Sequence, residues 1–142
     1  MTWYYKDNEI TELPDDCIGF VYLITCLDTG RKYIGKKLAK FTKTKVKTVK
    51  LKNGTKKKKK IREKIDSDWM QYYGSSIELS NDVEILGKEN FKREILHFCT
   101  SKAMCSYLEA KYQFSYGVLE SDDWYNGWIS VKVHKSHIKN NY

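Results

Sequence analysis

Ile18-Gly19-Phe20-Val21-Tyr22-Leu23-Ile24-Thr25-Cys26, then Leu27-Asp28-Thr29-Gly30, then Arg31-Lys32-Tyr33-Ile34-Gly35-Lys36-Lys37, is the stretch whose reading decides the fold. Its first eight residues are rich in β-branched and aromatic side chains, a strong strand signal. The Leu27 to Gly30 segment carries turn chemistry, and Arg31 to Lys37 returns as a second strand. If the turn closes between Cys26 and Arg31, Ile24 faces Tyr33 and Tyr22 faces Gly35. Side chains alternate with period two, so Tyr22 and Tyr33 then share one face of the hairpin. A slip of one residue would separate them.

Outward from this hairpin, residues 1–16 read as a polar lead-in ending in a loop at Pro14-Asp15-Asp16. On the other side, Phe41 to Lys47 alternates lysine with β-formers and runs on to Asn53-Gly54, a two-residue hairpin signal. Residues 40–61 are therefore expected to form a protruding basic β-arm, or else a disordered basic loop. Asp66 to Trp69 suits a short helical turn, and Ile77 to Leu86 a helix stopped by Gly87. Phe91 to Phe98 reads as a third strand. Thr100 or Ser101 caps a long helix to about Leu119, with Met104, Leu108, Tyr112 and Ser115 on one stripe. A turn at Trp124 to Gly127 leads to a terminal strand, Trp128 to His134. The expectation is a single α+β domain over residues 1–142, with a small antiparallel three-stranded β-sheet flanked by helices and a Lys-rich insertion at 40–61.

A chain of 142 residues suits one compact domain, and 41% hydrophobic with 31% charged residues excludes a disordered chain. No apolar run approaches the ~20 residues that span a bilayer, and the N-terminus lacks a signal-peptide pattern. The protein is expected to stay where it is made. Cys17, Cys26, Cys99 and Cys105 have no C-x-x-C spacing and are expected as buried free thiols; a zinc set of Cys99, Cys105, His134 and His137 would need unusual spacing.

The net charge of +8 is unevenly held. Lys36 to Lys64 contains 15 Lys or Arg and one acid, Glu63, while the rest of the chain carries 11 bases and 17 acids. Charge of one sign concentrated on one segment points to a polyanion partner, most simply nucleic acid, through Lys43, Lys45, Lys47, Lys56, Lys57, Lys58, Lys59 and Lys60. The segment lacks the amphipathic pattern of a membrane-surface helix.

Phe20-Val21-Tyr22 followed by Tyr33-Ile34-Gly35 resembles the paired motif of the GIY-YIG nuclease family, with the second element intact and Phe-Val-Tyr in place of Gly-Ile-Tyr. Tyr73-Gly74-Ser75-Ser76, Leu86 to Phe91 and Arg93 to Leu96 are similar to the central run of many phage-borne and intron-borne members. Leu108-Glu109 is placed like the family's metal-binding glutamate, and Tyr125-Asn126 follows where members often carry an asparagine.

The resemblance implies a metal-dependent endonuclease that hydrolyses DNA phosphodiester bonds. Glu109 would hold one Mg²⁺ ion, with Mn²⁺ a substitute. Tyr22 is the expected base for the attacking water and Tyr33 its orienter, with Lys36 supplying a cation to activate Tyr22. The family's arginine falls in doubt here: Arg62 is the first choice, with Lys43 or Lys64 behind it. Asn126 would fix Glu109 or a phosphate. His97, His134 and His137 are set aside as rim or solvent-facing side chains. The implied partner is DNA, met by a monomer or homodimer in bacterial cytoplasm, with no membrane. The alternative is a non-catalytic nucleic-acid-binding protein whose arm is its function.

Overall fold

Strands β3 (Gly19–Cys26) and β4 (Lys32–Leu38) pair in the register the turn dictates, with Tyr22 opposite Gly35 and Ile24 opposite Tyr33. The computed structural model describes residues 2–138. Around this hairpin, β1 (Trp3–Tyr5), β2 (Asn8–Ile10) and β7 (Phe91–Cys99) complete a sheet of order β2-β1-β7-β3-β4. The three-stranded antiparallel sheet expected from sequence is thus a five-stranded mixed one. Its antiparallel unit β7-β3-β4 is as anticipated, and β1 adds to β7 in parallel, Trp3 opposite Arg93.

The error lay in the first sixteen residues. Within them, Trp3–Tyr5 and Asn8–Ile10 form a tight hairpin turning on Lys6 and Asp7, both with positive φ of 48° and 65°. Such a turn normally carries Asn or Gly, so Lys-Asp gives no warning of it. Trp3 is fully buried and meets the rings of Phe20 and Tyr22 edge-on at 5.1 and 5.6 Å. Its indole N–H donates to the Trp69 carbonyl at 2.9 Å. The lead-in is core, not tether.

Strand β3 is covered on both faces, which explains its almost continuous apolar sequence. One core gathers Trp3, Phe20, Tyr22, Ile24, Leu79 and Ile95 beneath the 69–76 segment and helix α1 (Ile77–Leu86). The other gathers Val21, Ile34, Cys99, Met104, Cys105 and Leu108 beneath helix α2 (Lys102–Ser115). Ser76 and Ser101 cap the two helices by accepting the backbone N–H of Leu79 and Met104. Helix α2 stops four residues short of Leu119, and Ser115 faces solvent, because Gly117 turns the chain with φ 61° and returns Val118 to the core. All four cysteines are buried free thiols. No described helix is long and apolar enough to cross a membrane.

Two further expectations change. The expected strand Trp128 to His134 is irregular chain, followed by a 3-10 turn at Lys135–His137. The basic segment is a hairpin of β5 (Lys40–Lys50) and β6 (Lys56–Asp66), five residues longer than 40–61 and forming a sheet of its own. Its tip is a three-residue loop: Gly54 N–H bonds to the Leu51 carbonyl, Leu51 N–H to the Thr55 carbonyl, and Gly54 has φ 84°. This is the turn-plus-bulge alternative to a two-residue Asn-Gly hairpin.

Candidate active site

Strand β4 ends the sheet, so its outer row of backbone groups needs partners from elsewhere. At Lys32 the backbone supplies them: Lys32 N–H donates to Asp123, and its carbonyl accepts from Tyr125. At Ile34 the Asn126 side-chain amide takes over, accepting from Ile34 N–H at 3.1 Å and donating to its carbonyl at 2.8 Å. Gln113 of α2 donates to the same carbonyl at 3.0 Å. Beside Lys36 stands the Glu109 carboxylate, close enough for the Lys36 backbone N–H and ammonium to favour its charge. The edge is closed at Lys32 and Ile34, and the next group along it bears charge.

A cleft of about 600 Å³ runs along this edge, lined by Tyr33, Lys36, Ser75, Glu109, Tyr125 and Asn126 among others. Tyr33 reaches it from the face of Tyr22, and its hydroxyl lies 3.0 Å from Ser75 Oγ. Lys36 and Glu109 reach it from the α2 face; the Lys36 ammonium also donates to Ser106 Oγ of α2. Burial raises the Glu109 carboxyl above its ordinary pKa, and the Lys36 charge and N–H pull it back. Burial likewise raises Tyr33, with the Ser75 hydrogen bond opposing. Three expected residues, Tyr33, Lys36 and Glu109, therefore share one cavity. Asn126 lines it too, with its amide committed to Ile34.

Tyr22 lies one layer behind. It is fully buried, its ring 6.1 Å from that of Tyr33 and edge-on to Tyr72 at 5.9 Å. Its hydroxyl crosses over Gly35 and makes no hydrogen bond of ordinary geometry. Burial, with the Tyr72 and Tyr33 hydroxyls nearby, pushes its pKa well up, the opposite of what a base requires. Lys36 does not stand beside it to reverse this, because Gly35 faces Tyr22 and the next side chain points to the other side. The cation on the tyrosine side is Lys37, which pairs with Asp68 at 2.6 Å and covers the Tyr72 ring.

Arg62 is not in the cleft. It sits on β6 opposite Thr44, exposed on the arm with Lys43 and Lys64. The guanidinium beside the cleft is Arg31, which sequence reading passed over: it does not line the cavity itself but stacks on one lining residue, Tyr125, 4.1 Å from the ring centroid, and contacts another, Glu78, at 2.9 Å. Only its place beside the second strand could have signalled it. Arg93 is buried and donates to the carbonyls of Met70 and Tyr72, holding the loop that carries Tyr72 and Tyr73. The eight arm lysines line an exposed hairpin away from the cleft, and His97 and His134 are outside it as well. Among the described residues no cluster of three His, Cys, Asp or Glu could hold a metal by itself. Glu109 alone fits a cation that keeps its waters and shares a substrate phosphate, as Mg²⁺ does.

Comparison with known proteins bears on the family. The model of a family described as "Putative endonuclease segE, GIY-YIG domain" matches residues 3–129. No curated protein and no solved structure matches the chain.

Proposed function

The chain belongs to the GIY-YIG endonuclease family, and from that premise we propose that it hydrolyses DNA phosphodiester bonds in the cleft along β4. The observation that carries this reading is the convergence of Tyr33, Lys36 and Glu109 on one cavity at the edge of the YIG strand. Glu109 is the residue to hold Mg²⁺ or Mn²⁺; the ion would supply a Lewis acid for the phosphate and acidify bound water. Lys36 neutralises charge building on the phosphate oxygens. Tyr33, steadied by Ser75, orients the attacking water, which adds to phosphorus as the bond to the leaving oxygen breaks; the proton lost by that water passes to solvent, and the leaving oxygen takes one from solvent. Its raised pKa keeps the phenol neutral at pH 7, a hydrogen-bonding group more than a base.

Tyr22 receives a different role from the one its motif suggests. Buried beneath Tyr33 and Gly35, it sets the angle at which Tyr33 enters the cleft. Asn126 acts likewise by pinning Ile34, the residue between Tyr33 and Gly35. The arm β5–β6 supplies affinity through phosphate contacts, with little sequence choice. The chain is read as one nuclease domain with the arm inserted between β4 and the 69–76 segment.

Incubating the protein with supercoiled plasmid and Mg²⁺ tests the reading. Wild-type protein should nick; Glu109→Gln should lose about 10³-fold and Tyr33→Phe about 10²-fold, both still binding DNA. DNA binding without any metal-dependent nicking by the wild type would overturn it and leave a binding protein. Equal nicking by wild type and Glu109→Gln would remove Glu109 from the site.

A further inference from the structure

Glu78 is an anomaly in a cleft meant for a polyanion. It lines the wall in the first turn of α1 with its side chain 68% exposed, where a carboxylate repels phosphate. Its partner is the Arg31 guanidinium, whose Nη2 lies 2.9 Å from Oε2. That guanidinium is held flat against the Tyr125 ring, and the ring is fixed in turn by the Tyr125 hydroxyl donating to Asp82 at 2.6 Å. Arg31 Nε is buried and has no partner among the described residues. Arg31 is thus oriented by packing, half-used in hydrogen bonding, and joined to a carboxylate that is itself largely exposed, so the contact exchanges at little cost.

We propose that Arg31 is a phosphate-binding residue at the border of the cleft, latched there by the lining residue Glu78 in the free protein and released to the DNA backbone on binding. This rests on the nuclease reading above and extends it to a second phosphate. Arg31 immediately precedes β4 and Lys36 lies five residues further on, about 16 Å at strand rise. One phosphodiester cannot meet both ends, so Arg31 takes a phosphate flanking the one at Glu109. A phosphate offers two oxygens to the guanidinium fork, so it can accept from both terminal nitrogens, Nη1 and Nη2, whereas Glu78 engages Nη2 alone. Binding exchanges one carboxylate contact for a bidentate one and turns Glu78 out to solvent.

The test is a double-mutant cycle on the affinity for a labelled DNA duplex without divalent metal, measured by fluorescence anisotropy over a salt series. Arg31→Gln should weaken binding roughly fivefold to twentyfold and reduce the salt slope by about one. Glu78→Gln should tighten binding roughly twofold to fivefold. That gain should shrink when Arg31→Gln is already present. Weaker or unchanged binding by Glu78→Gln overturns the latch, because a merely structural ion pair cannot improve affinity when cut. Equal gains in both backgrounds also overturn it, since Glu78 would then only repel. Arg31→Lys, which keeps charge but not the fork, should fall between wild type and Arg31→Gln. Plasmid nicking is scored separately: a wild type that never nicks ends the nuclease reading while the cycle still reports on Arg31. A nicking wild type with a flat cycle ends only the Arg31 assignment.

Discussion

Two antiparallel hairpins follow one another along this chain, and they share little beyond their hydrogen-bond ladders. The first, β3–β4, is gripped: β3 is buried on both faces, and even the free edge of β4 is closed by Asp123, Tyr125, Asn126 and Gln113, with Glu109 beside it. The second, β5–β6, is bare. Nearly every residue is exposed, and Lys47 faces Lys59 while Lys50 faces Lys56. A two-stranded ribbon with no covered face is marginal alone, and like charges directly opposed weaken it further; the Lys45 to Glu63 contact of 3.1 Å offsets little. Reaction geometry needs positions held to fractions of an ångström, which packing provides. Gripping a backbone needs only cations within reach, and on the reading proposed above the exposure of the arm would let it follow a nucleic-acid surface.

If the division is right, the arm can be cut away. Ser67 N–H bonds to the Ala39 carbonyl at 2.8 Å, so the chain enters and leaves the arm at one point. Replacing residues 40–66 by a two-residue turn should lower DNA affinity by about 10²- to 10³-fold at physiological salt. The melting temperature should stay within a few degrees of the parent. Replacing only Lys56, Lys57, Lys58, Lys59 and Lys60 by Ser should flatten the salt slope without complete loss. A truncated protein that binds as tightly, or that no longer folds, would erase the distinction between the hairpins.

The same residue type offers the next comparison, since each hairpin has a critical glycine. A methyl group at Gly35 would stand 2.7 Å from Tyr22 Cζ and 2.8 Å from Tyr33 Cε1; Tyr22 is fully buried, so the strain falls on Tyr33 at the cleft. Gly35→Ala should cost about 1–3 kcal/mol of stability. By tilting Tyr33 it should also slow nicking about 10²-fold. Gly54, at φ 84°, has nothing within 4 Å of an added methyl. Gly54→Ala should therefore cost only about 1–2 kcal/mol of backbone strain, confined to the arm tip. Faster amide exchange in β5 and β6 with unchanged melting of the body would show that confinement. A fall in the melting temperature as large as that of Gly35→Ala would mean the two hairpins fold as one unit.

What sequence disclosed follows the same line. The register of β3 and β4 was legible because apolar alternation and a short turn are local signals, and so were the caps at Ser76 and Ser101. The closing of the β4 edge was not: Asn126 and Ile34 are 92 residues apart, and nothing local in Tyr-Asn-Gly says that its amide will replace a strand. The burial of Tyr22 was hidden for a related reason. Motif order cannot tell a phenol that opens on a cleft from one sealed beneath it, whereas burial can. Order along the chain pointed downstream to Arg62, which lies on the arm, while Arg31 packs on Tyr125 of the cleft wall.

The smallest expected effect tests whether the gripped hairpin bears a cost for its chemistry. Glu109 stands beside the edge of β4 in a half-buried cleft, so its folded-state pKa is raised by burial, only partly offset by Lys36. A carboxyl whose pKa is higher folded than unfolded binds its proton more tightly in the native state. Its favourable contribution is present at low pH and is lost as pH rises from the ordinary carboxyl range, about 4.3, through the raised folded value. Glu109→Gln removes that titration while leaving an amide oxygen to accept from Lys36. At neutral pH the variant should melt about 1–3 °C higher than wild type, and at pH 4 the gap should close. A variant that melts lower at neutral pH would mean that the carboxylate is needed to hold the edge of β4. Structure and chemistry would then ask the same thing of this residue, and the contrast between a hairpin strained for catalysis and an arm free of strain would fail at its central point.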